Sequence, residues 1–173
     1  MGRNDRGGTQ ECEEKQLTII TLDNEQVLFI QNWAAKKNQF NADRGIVNQK
    51  ESKQHPDYIQ YKGKAGEAAF GLAFDMPIDW EIHGHGDGGI DFQGRVSIDV
   101  KTTESASLEL VFKPGTFRAN VGVLVQMLAI DRFYIHGWIT HNEFRNKCYS
   151  NGYGWDAVKP KDLRPIELLK GML

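Results

Sequence analysis

The spacing of apolar positions changes period several times along the chain, and each change marks an element. From residue 23 to about 39, Val27, Ile30, Trp33 and Ala34 fall on one helical face. Asp23, with Gln26 three residues later, has the form of a capping box and predicts where this helix starts. The polar segment from Gly45 to Pro56 reads as a loop. A second helix is predicted from Gly63 to Phe74, rich in small residues (Ala65, Ala68, Ala69). Gly66 and Gly71 weaken it by roughly 1 kcal/mol each against alanine, which makes sense if something must approach the helix backbone there.

The pattern then shortens to strand-like runs. Trp80 to His83 is a short candidate, followed by Gly89 to Phe92 and Val96 to Thr102, the last two joined by a turn at Gly94. Leu108 to Phe112 is another. Val121 to Ile130 and Phe133 to Ile139 read as a hairpin turning at Asp131-Arg132. Thr140 and Glu143 form a second capping box and predict a short helix. Pro165 suits the first turn of a closing helix with Ile166, Leu168, Leu169 and Leu173 as apolar contacts. Helices followed by a run of strands and short helices predict an α/β (α+β) domain, a mixed central sheet flanked by helices. The expected organisation is a polar segment over residues 1–20, then one domain over 21–173. That domain divides into a helical element (21–60), a core (61–145) and a C-terminal element (146–173).

Composition narrows the class. The 173 residues are 40% hydrophobic and 25% charged, the profile of a globular protein. No apolar run approaches the length of a membrane span, and residues 1–15 lack the apolar stretch of a secretory signal. Cys12 and Cys148 match no zinc spacing; a reduced, cytoplasmic setting is expected, with a disulfide between them left open. The net charge of −2 does not by itself indicate nucleic acid. Its distribution is more telling. Residues 36–64 carry seven basic and three acidic residues, whereas 75–104 carry seven acids and two bases. A basic stretch beside an acidic one suits a phosphate-binding surface next to a cation site.

The acidic stretch contains the candidate chemistry. In Gly89-Ile90-Asp91-Phe92 and Ile98-Asp99-Val100-Lys101, apolar and charged residues alternate, so Asp99 and Lys101 share one face of a strand. A hairpin centred on Arg95 sets Asp91 opposite Asp99, at a Cβ separation of about 4.5 to 5.5 Å. Facing carboxylates repel, and a divalent cation removes the conflict. The Val100 backbone carbonyl offers a further oxygen, Lys101 points at the same place, and Glu67 on the preceding helix supplies a third carboxylate. Such a set suits phosphodiester hydrolysis by metal-activated water, with the lysine orienting water or stabilising transition-state charge.

In order, Gly63-Lys64-Ala65-Gly66-Glu67, Gly89-Ile90-Asp91 and Asp99-Val100-Lys101-Thr102-Thr103 resemble the PD-(D/E)XK nuclease superfamily, which includes restriction endonucleases and Holliday-junction resolvases. The motif-bearing likeness covers about residues 60 to 145, including the Phe133 to Phe144 stretch. It implies a restriction-endonuclease-like core with Glu67, Asp91, Asp99 and Lys101 as catalytic residues. The metal ligands it implies are Asp91, Asp99, Glu67 and the Val100 carbonyl, holding Mg²⁺, with Mn²⁺ as a substitute. Residue 90 is Ile where the family name has Pro, residues 1–60 match no family element, and no long crossover helix follows Lys101.

The implied partner is DNA, with no membrane, and a homodimer would let one site per copy make a double-strand cut. Lys62, Lys64, Lys113 and Arg118 are the candidate phosphate contacts. The expected activity is that of a Mg²⁺-dependent DNA endonuclease. The alternatives are a structure-selective nuclease (a junction resolvase or exonuclease) and a catalytically silent DNA-binding module on the same fold. His83 and His85 lack a third zinc ligand and read as residues near the site that touch phosphate; Asp87 reads as a turn former; Gln126 lies on a strand, either reaching the site or packing at an edge, and Thr103 falls on the catalytic face by parity.

Overall fold

The computed structural model describes residues 19–46, 54–83 and 88–173. Strand β1 (Ile19–Thr21) leads into helix α1 (Asn24–Asp43), whose start is fixed by the reciprocal Asp23–Gln26 capping box. Helix α2 runs Pro56–Phe74, starting seven residues before Gly63. The extra turns follow from Pro56, whose fixed φ suits the first helical position, and from the His55 ring, which accepts the Asp57 N–H. Next come β2 (Ile98–Thr103), β3 (Leu110–Phe112), β4 (Val121–Ala129) and β5 (Arg132–Thr140). Helix α3 (His141–Lys147), β6 (Tyr149–Ser150) and β7 (Asp156–Val158) follow, and the chain closes with 3₁₀ turns at Pro160–Asp162 and Ile166–Gly171.

Four strands form a mixed sheet in the order β1-β5-β4-β2, antiparallel except for the parallel β2–β4 pair. A second, three-stranded antiparallel sheet runs β3-β7-β6. The mixed sheet flanked by helices agrees with the α+β expectation. Helices α1 and α2 cover one face, where Ile30, Ala34, Ala65, Ala69 and Phe70 meet Ile98, Val100, Val121, Val123 and Val125. Leu110, Phe112, Phe117, Phe144 and Val158 cover the other face around Leu124 and Ile139. Each fully buried Phe or Leu here contributes on the order of 2 kcal/mol. Among the described residues no helix is long and apolar enough to cross a membrane.

Several predicted elements need correction. Trp80 to His83 is irregular, not a strand. Its backbone is used by α1 instead: Trp33 Nε1 donates to the Trp80 carbonyl at 2.9 Å, and Lys37 Nζ to the His83 carbonyl at 2.6 Å. Gly89 to Phe92 is not a strand either. Gly88 and Gly89 take φ of 72° and 80°, which a pleated strand cannot accommodate, and only Phe92 bridges to Ile98. The strand after it starts at Ile98 rather than Val96. The β4–β5 turn falls at Ile130-Asp131, one residue earlier than expected. The closing helix is 3₁₀, with Ile166 and Leu169 buried but Leu168 exposed. Most of the Gly45–Pro56 loop, together with Cys12, His85 and Asp87, lies outside the described residues.

One irregularity in β5 orders the C-terminal segment. Leu124 pairs with Gly137 but Val125 pairs with Ile135, so His136 is an extra residue in a β-bulge. The shift returns Trp138 to the helix-covered face, alongside Phe133 and Ile135. It also brings Arg164 against the strand: Trp138 N–H donates to the Arg164 carbonyl at 3.1 Å, and Arg164 N–H returns a bond of 2.7 Å. Gly137 has φ 151°, and a Cβ there would sit 2.4 Å from the Arg164 oxygen. Gly137→Ala should therefore destabilise by about 2 kcal/mol or more, lowering the melting temperature by roughly 4 to 8 °C. Thermal unfolding checks this; an unchanged midpoint would show that the segment yields freely.

Candidate active site

The acidic motif gathers around the open edge of β2. Its other edge is bonded to β4, with Asp99 opposite Gly122 and Lys101 opposite Leu124. On the free edge Ile98 exchanges backbone bonds with Phe92, at 2.9 Å and 3.2 Å. That pairing is centred on Arg95, as the sequence predicts. One residue further, backbone pairing gives way to a side chain: Val100 N–H donates to Asp91 Oδ2 at 2.6 Å. By the two-residue alternation of a strand, the Val100 carbonyl faces this same edge. Asp91 therefore lies along the edge of β2, whereas Asp99 and Lys101 lie on the face away from α2. The expectation that Asp91 and Asp99 share a face is corrected to this edge-and-face arrangement, which arises because the residues before Phe92 leave the extended conformation.

Glu67 approaches from α2, and its seat depends on Gly66. A Cβ on Gly66 would fall 1.8 Å from Thr102 Oγ1, so the absence of a side chain lets the helix rest on the strand. This is the close approach that the helix glycines suggested; at Gly71 the corresponding neighbours are Ile78 and the Met76 carbonyl. The Thr102 hydroxyl is buried there without a hydrogen-bond partner. Gly66→Ala should push α2 off β2, cost about 2 kcal/mol, and move Glu67 away from Asp91. If denaturant unfolding finds Gly66→Ala as stable as the parent, the contact does not set the helix position.

Each carboxylate is held. Lys101 Nζ pairs with Asp99, which is only 1% exposed. Lys64 Nζ lies 2.6 Å from Glu67 Oε2. Asp91 accepts the Val100 N–H, yet its carboxyl is pushed well above the ordinary aspartate range. Burial is the main cause, followed by the negative charges of Glu67 and then Asp99. Among the described residues no group of three or more His, Cys, Asp or Glu side chains is placed to hold a metal ion.

Glu67, Asp91, Val100 and Lys101 line a single cleft of about 560 Å³, whose walls include Trp33, Lys37, Asn41, Lys62, Lys64 and His83. On the far side of Asp99, the loop Lys113–Arg118 is packed in. A Cβ on Gly89 would lie 3.3 Å from Asp99 Oδ2 and 3.6 Å from the Thr116 carbonyl.

The four candidate phosphate contacts separate in space. Lys113 and Arg118 are exposed on the loop beside Asp99. Lys62 lines the cleft, with Nζ 3.1 Å from Glu104 Oε2 and 3.3 Å from Gln54 Oε1. Lys64 is not a surface lysine: it is 8% exposed, and its ammonium lies 5.0 Å and 5.6 Å from the Trp33 and Trp80 ring centres. The physical reason is its i, i+3 spacing to Glu67, which puts both on one helical face, a sequence signal that could have assigned it here. Gln126 is engaged with His136 Nε2 at 3.0 Å, and Thr103 Oγ1 accepts the Ser105 N–H. His83 lines the cleft with its ring 3.1 Å from Asp79. Trp33, read as an apolar-face helix residue, and Lys37, read only as one of the basic residues of 36–64, are cleft-wall residues that periodicity had no means to identify.

No protein-family model, curated protein or solved structure matches this chain.

The raised Asp91 carboxyl has a stability consequence in the metal-free protein. Between the unfolded value near pH 4 and the higher folded value, the folded state binds the extra proton, so stability falls as pH rises through that window. Asp91→Asn removes this cost and keeps an oxygen for the Val100 N–H. In chelator, its melting temperature should match the parent near pH 4 and exceed it increasingly toward pH 8. A variant less stable than the parent at pH 8 would contradict the electrostatic account.

Proposed function

We propose that this chain is a divalent-metal-dependent nuclease that hydrolyses DNA phosphodiester bonds, built on a restriction-endonuclease-like core of the PD-(D/E)XK type. The reading rests on one observation: Glu67, Asp91 and Lys101 line one cleft around the open edge of β2, with Asp99 paired to Lys101 beneath it. The donor set is all oxygen, as Mg²⁺ or Mn²⁺ requires, and the like-charge crowding at Asp91 is what a bound cation relieves. Asp91, Asp99 and the Val100 carbonyl would hold the ion, with Glu67 beside them. Such an ion supplies Lewis-acid chemistry, drawing charge from the phosphoryl group and making water more acidic.

The chain's own residues do the rest. Lys101 is the one cation of the motif that faces the cleft from β2, so it can exchange its hold on Asp99 for a phosphate oxygen or the attacking water. Lys64 holds Glu67 in place through their ion pair. Lys62 on the cleft wall, with Lys113 and Arg118 on the neighbouring loop, provides positive charge for the DNA backbone. A double-strand cut calls for a homodimer or two successive events.

Plasmid digestion tests the reading. Cleavage should require Mg²⁺ or Mn²⁺ and stop in chelator. Lys101→Ala and Asp99→Asn should each slow it by roughly 10²–10³-fold, and Glu67→Gln by roughly 10–100-fold. Full activity in folded Asp99→Asn and Lys101→Ala, or cleavage that persists in chelator, would reject it.

A further inference from the structure

The outer face of the β3-β7-β6 sheet has a composition that the core does not require. Its inner face is apolar: Leu110, Phe112 and Val158 are buried in the second core. The outward positions follow from the register. Val111 pairs with Ala157, so Lys113 stands across from Trp155 and Glu109 across from Lys159. Tyr149 also pairs with Ala157, completing the row on β6. The face is thus two aromatic rings set around the fully buried Ala157, flanked by two lysines. Tyr149 and Trp155 are each 37% exposed. Lys113 Nζ lies 6.0 Å from the Trp155 ring centre, and Lys159 Nζ 5.6 Å from that of Tyr149.

The Tyr149 ring is held through its hydroxyl, and the Trp155 backbone is fixed at the hairpin tip. Tyr149 OH donates to Glu109 Oε1 at 2.5 Å, and Asn151 Nδ2 to Glu109 Oε2 at 3.4 Å. That carboxylate, the one acid in the outward row, is thereby engaged by the platform's own donors. At the hairpin tip, Asn151 Oδ1 accepts the N–H groups of Tyr153 and Trp155, and Tyr153 is left 88% exposed. From residue 144 to 161 the chain carries four basic residues and one acid.

Rigid, partly exposed aromatics between lysines stack on bases while the lysines meet phosphates. Base faces are available only where a strand is unpaired, because in a duplex they are already stacked on each other. Three strands span about 10 Å, room for roughly two nucleotides. The same sheet borders the candidate active site on its other side: Lys101 Nζ lies 5.2 Å from the ring centre of Phe112, on the inner side of β3, and the loop after β3 lies close to Gly89.

We propose that the outer face of the β3-β7-β6 sheet binds a single-stranded segment of nucleic acid through Tyr149 and Trp155, with Lys113 and Lys159 on its phosphates. Resting on the nuclease reading, this makes the preferred substrate a DNA that carries an unpaired segment.

The test is fluorescence anisotropy of the full chain, in chelator so that no cleavage occurs, with labelled oligo-dT and a duplex of the same length. The parent should bind oligo-dT at least about tenfold more tightly than duplex. Tyr149→Ala with Trp155→Ala should weaken oligo-dT binding by roughly 10- to 100-fold. Tyr149→Phe, which removes only the bond to Glu109, should keep most of it. Lys113→Gln and Lys159→Gln should each reduce the slope of log affinity against log salt by about 0.7. If the double alanine variant is unfolded by circular dichroism, Lys113→Glu with Lys159→Glu gives the same decision at exposed positions.

Unchanged oligo-dT affinity in the folded aromatic or charge-reversed variants, or duplex binding as tight as oligo-dT, overturns the proposal. So does sedimentation showing that the face pairs two copies of the chain and that the alanine variants separate them. The two readings fail separately. Aromatic-dependent oligo-dT binding without metal-dependent plasmid cleavage removes the nuclease and leaves the platform; cleavage without such binding does the reverse.

Discussion

The seat of α2 on β2 is the contact on which the candidate site depends. Gly66 lies over Thr102, and nothing larger than hydrogen fits between helix and strand. The approach fixes Glu67, one residue along, relative to Asp91 and Lys101 of the same cleft. It carries a cost, since a glycine inside a helix and a buried hydroxyl without a partner are both destabilising. Ala65, Ala68, Ala69 and Phe70 compensate by burying almost completely against the sheet. Stability is given up at the point of contact and recovered on either side of it, a pattern expected where geometry matters more than packing.

The electrostatics follow from the same contact. Three carboxylates brought around one strand edge would repel unless neutralised. Two find ammonium partners from their own elements, Lys64 on α2 and Lys101 on β2, while Asp91 has an amide N–H and the more distant Lys101 charge against burial and two negative neighbours. The crowding therefore localises on the group that lies along the edge. The aromatic walls formed by Trp33 and Trp80 keep Lys64 directed inward, so that it serves the site rather than the surface.

Much of this was legible in the sequence, for identifiable reasons. Both capping boxes set helix starts because their partners are three residues apart and need no tertiary context. The β4–β5 hairpin and the Phe92–Ile98 register are likewise local. Gly66 announced a close approach but not its partner, since Thr102 is distant in sequence. What failed was tertiary. Ile90 and Phe92 suggested a strand, but two left-handed glycines before them turned it into a loop. Trp80 to His83 had the right composition for a strand, but its carbonyls were taken by α1. The parallel β2–β4 pairing and the short strands β1, β6 and β7 left no pattern, because two or three residues carry too little periodicity to read.

The parallel pairing of β2 with β4 also differs from the β4–β5 pairing in what it costs the chain to form. Strands β4 and β5 are joined by a two-residue turn, so their ladder can zip from a local nucleus on the microsecond scale of an isolated hairpin. Strand β2 must instead close the whole of residues 104–120 before its first rung forms, and such non-local pairings come late because loop entropy is spent in advance. Of the pairings around β4, only the one with β5 is local; the pairing that places Asp99 and Lys101 carries a loop-closure cost that the hairpin does not. The geometry of the acidic cluster is therefore tied to a contact between distant parts of the chain, not to any turn that forms locally.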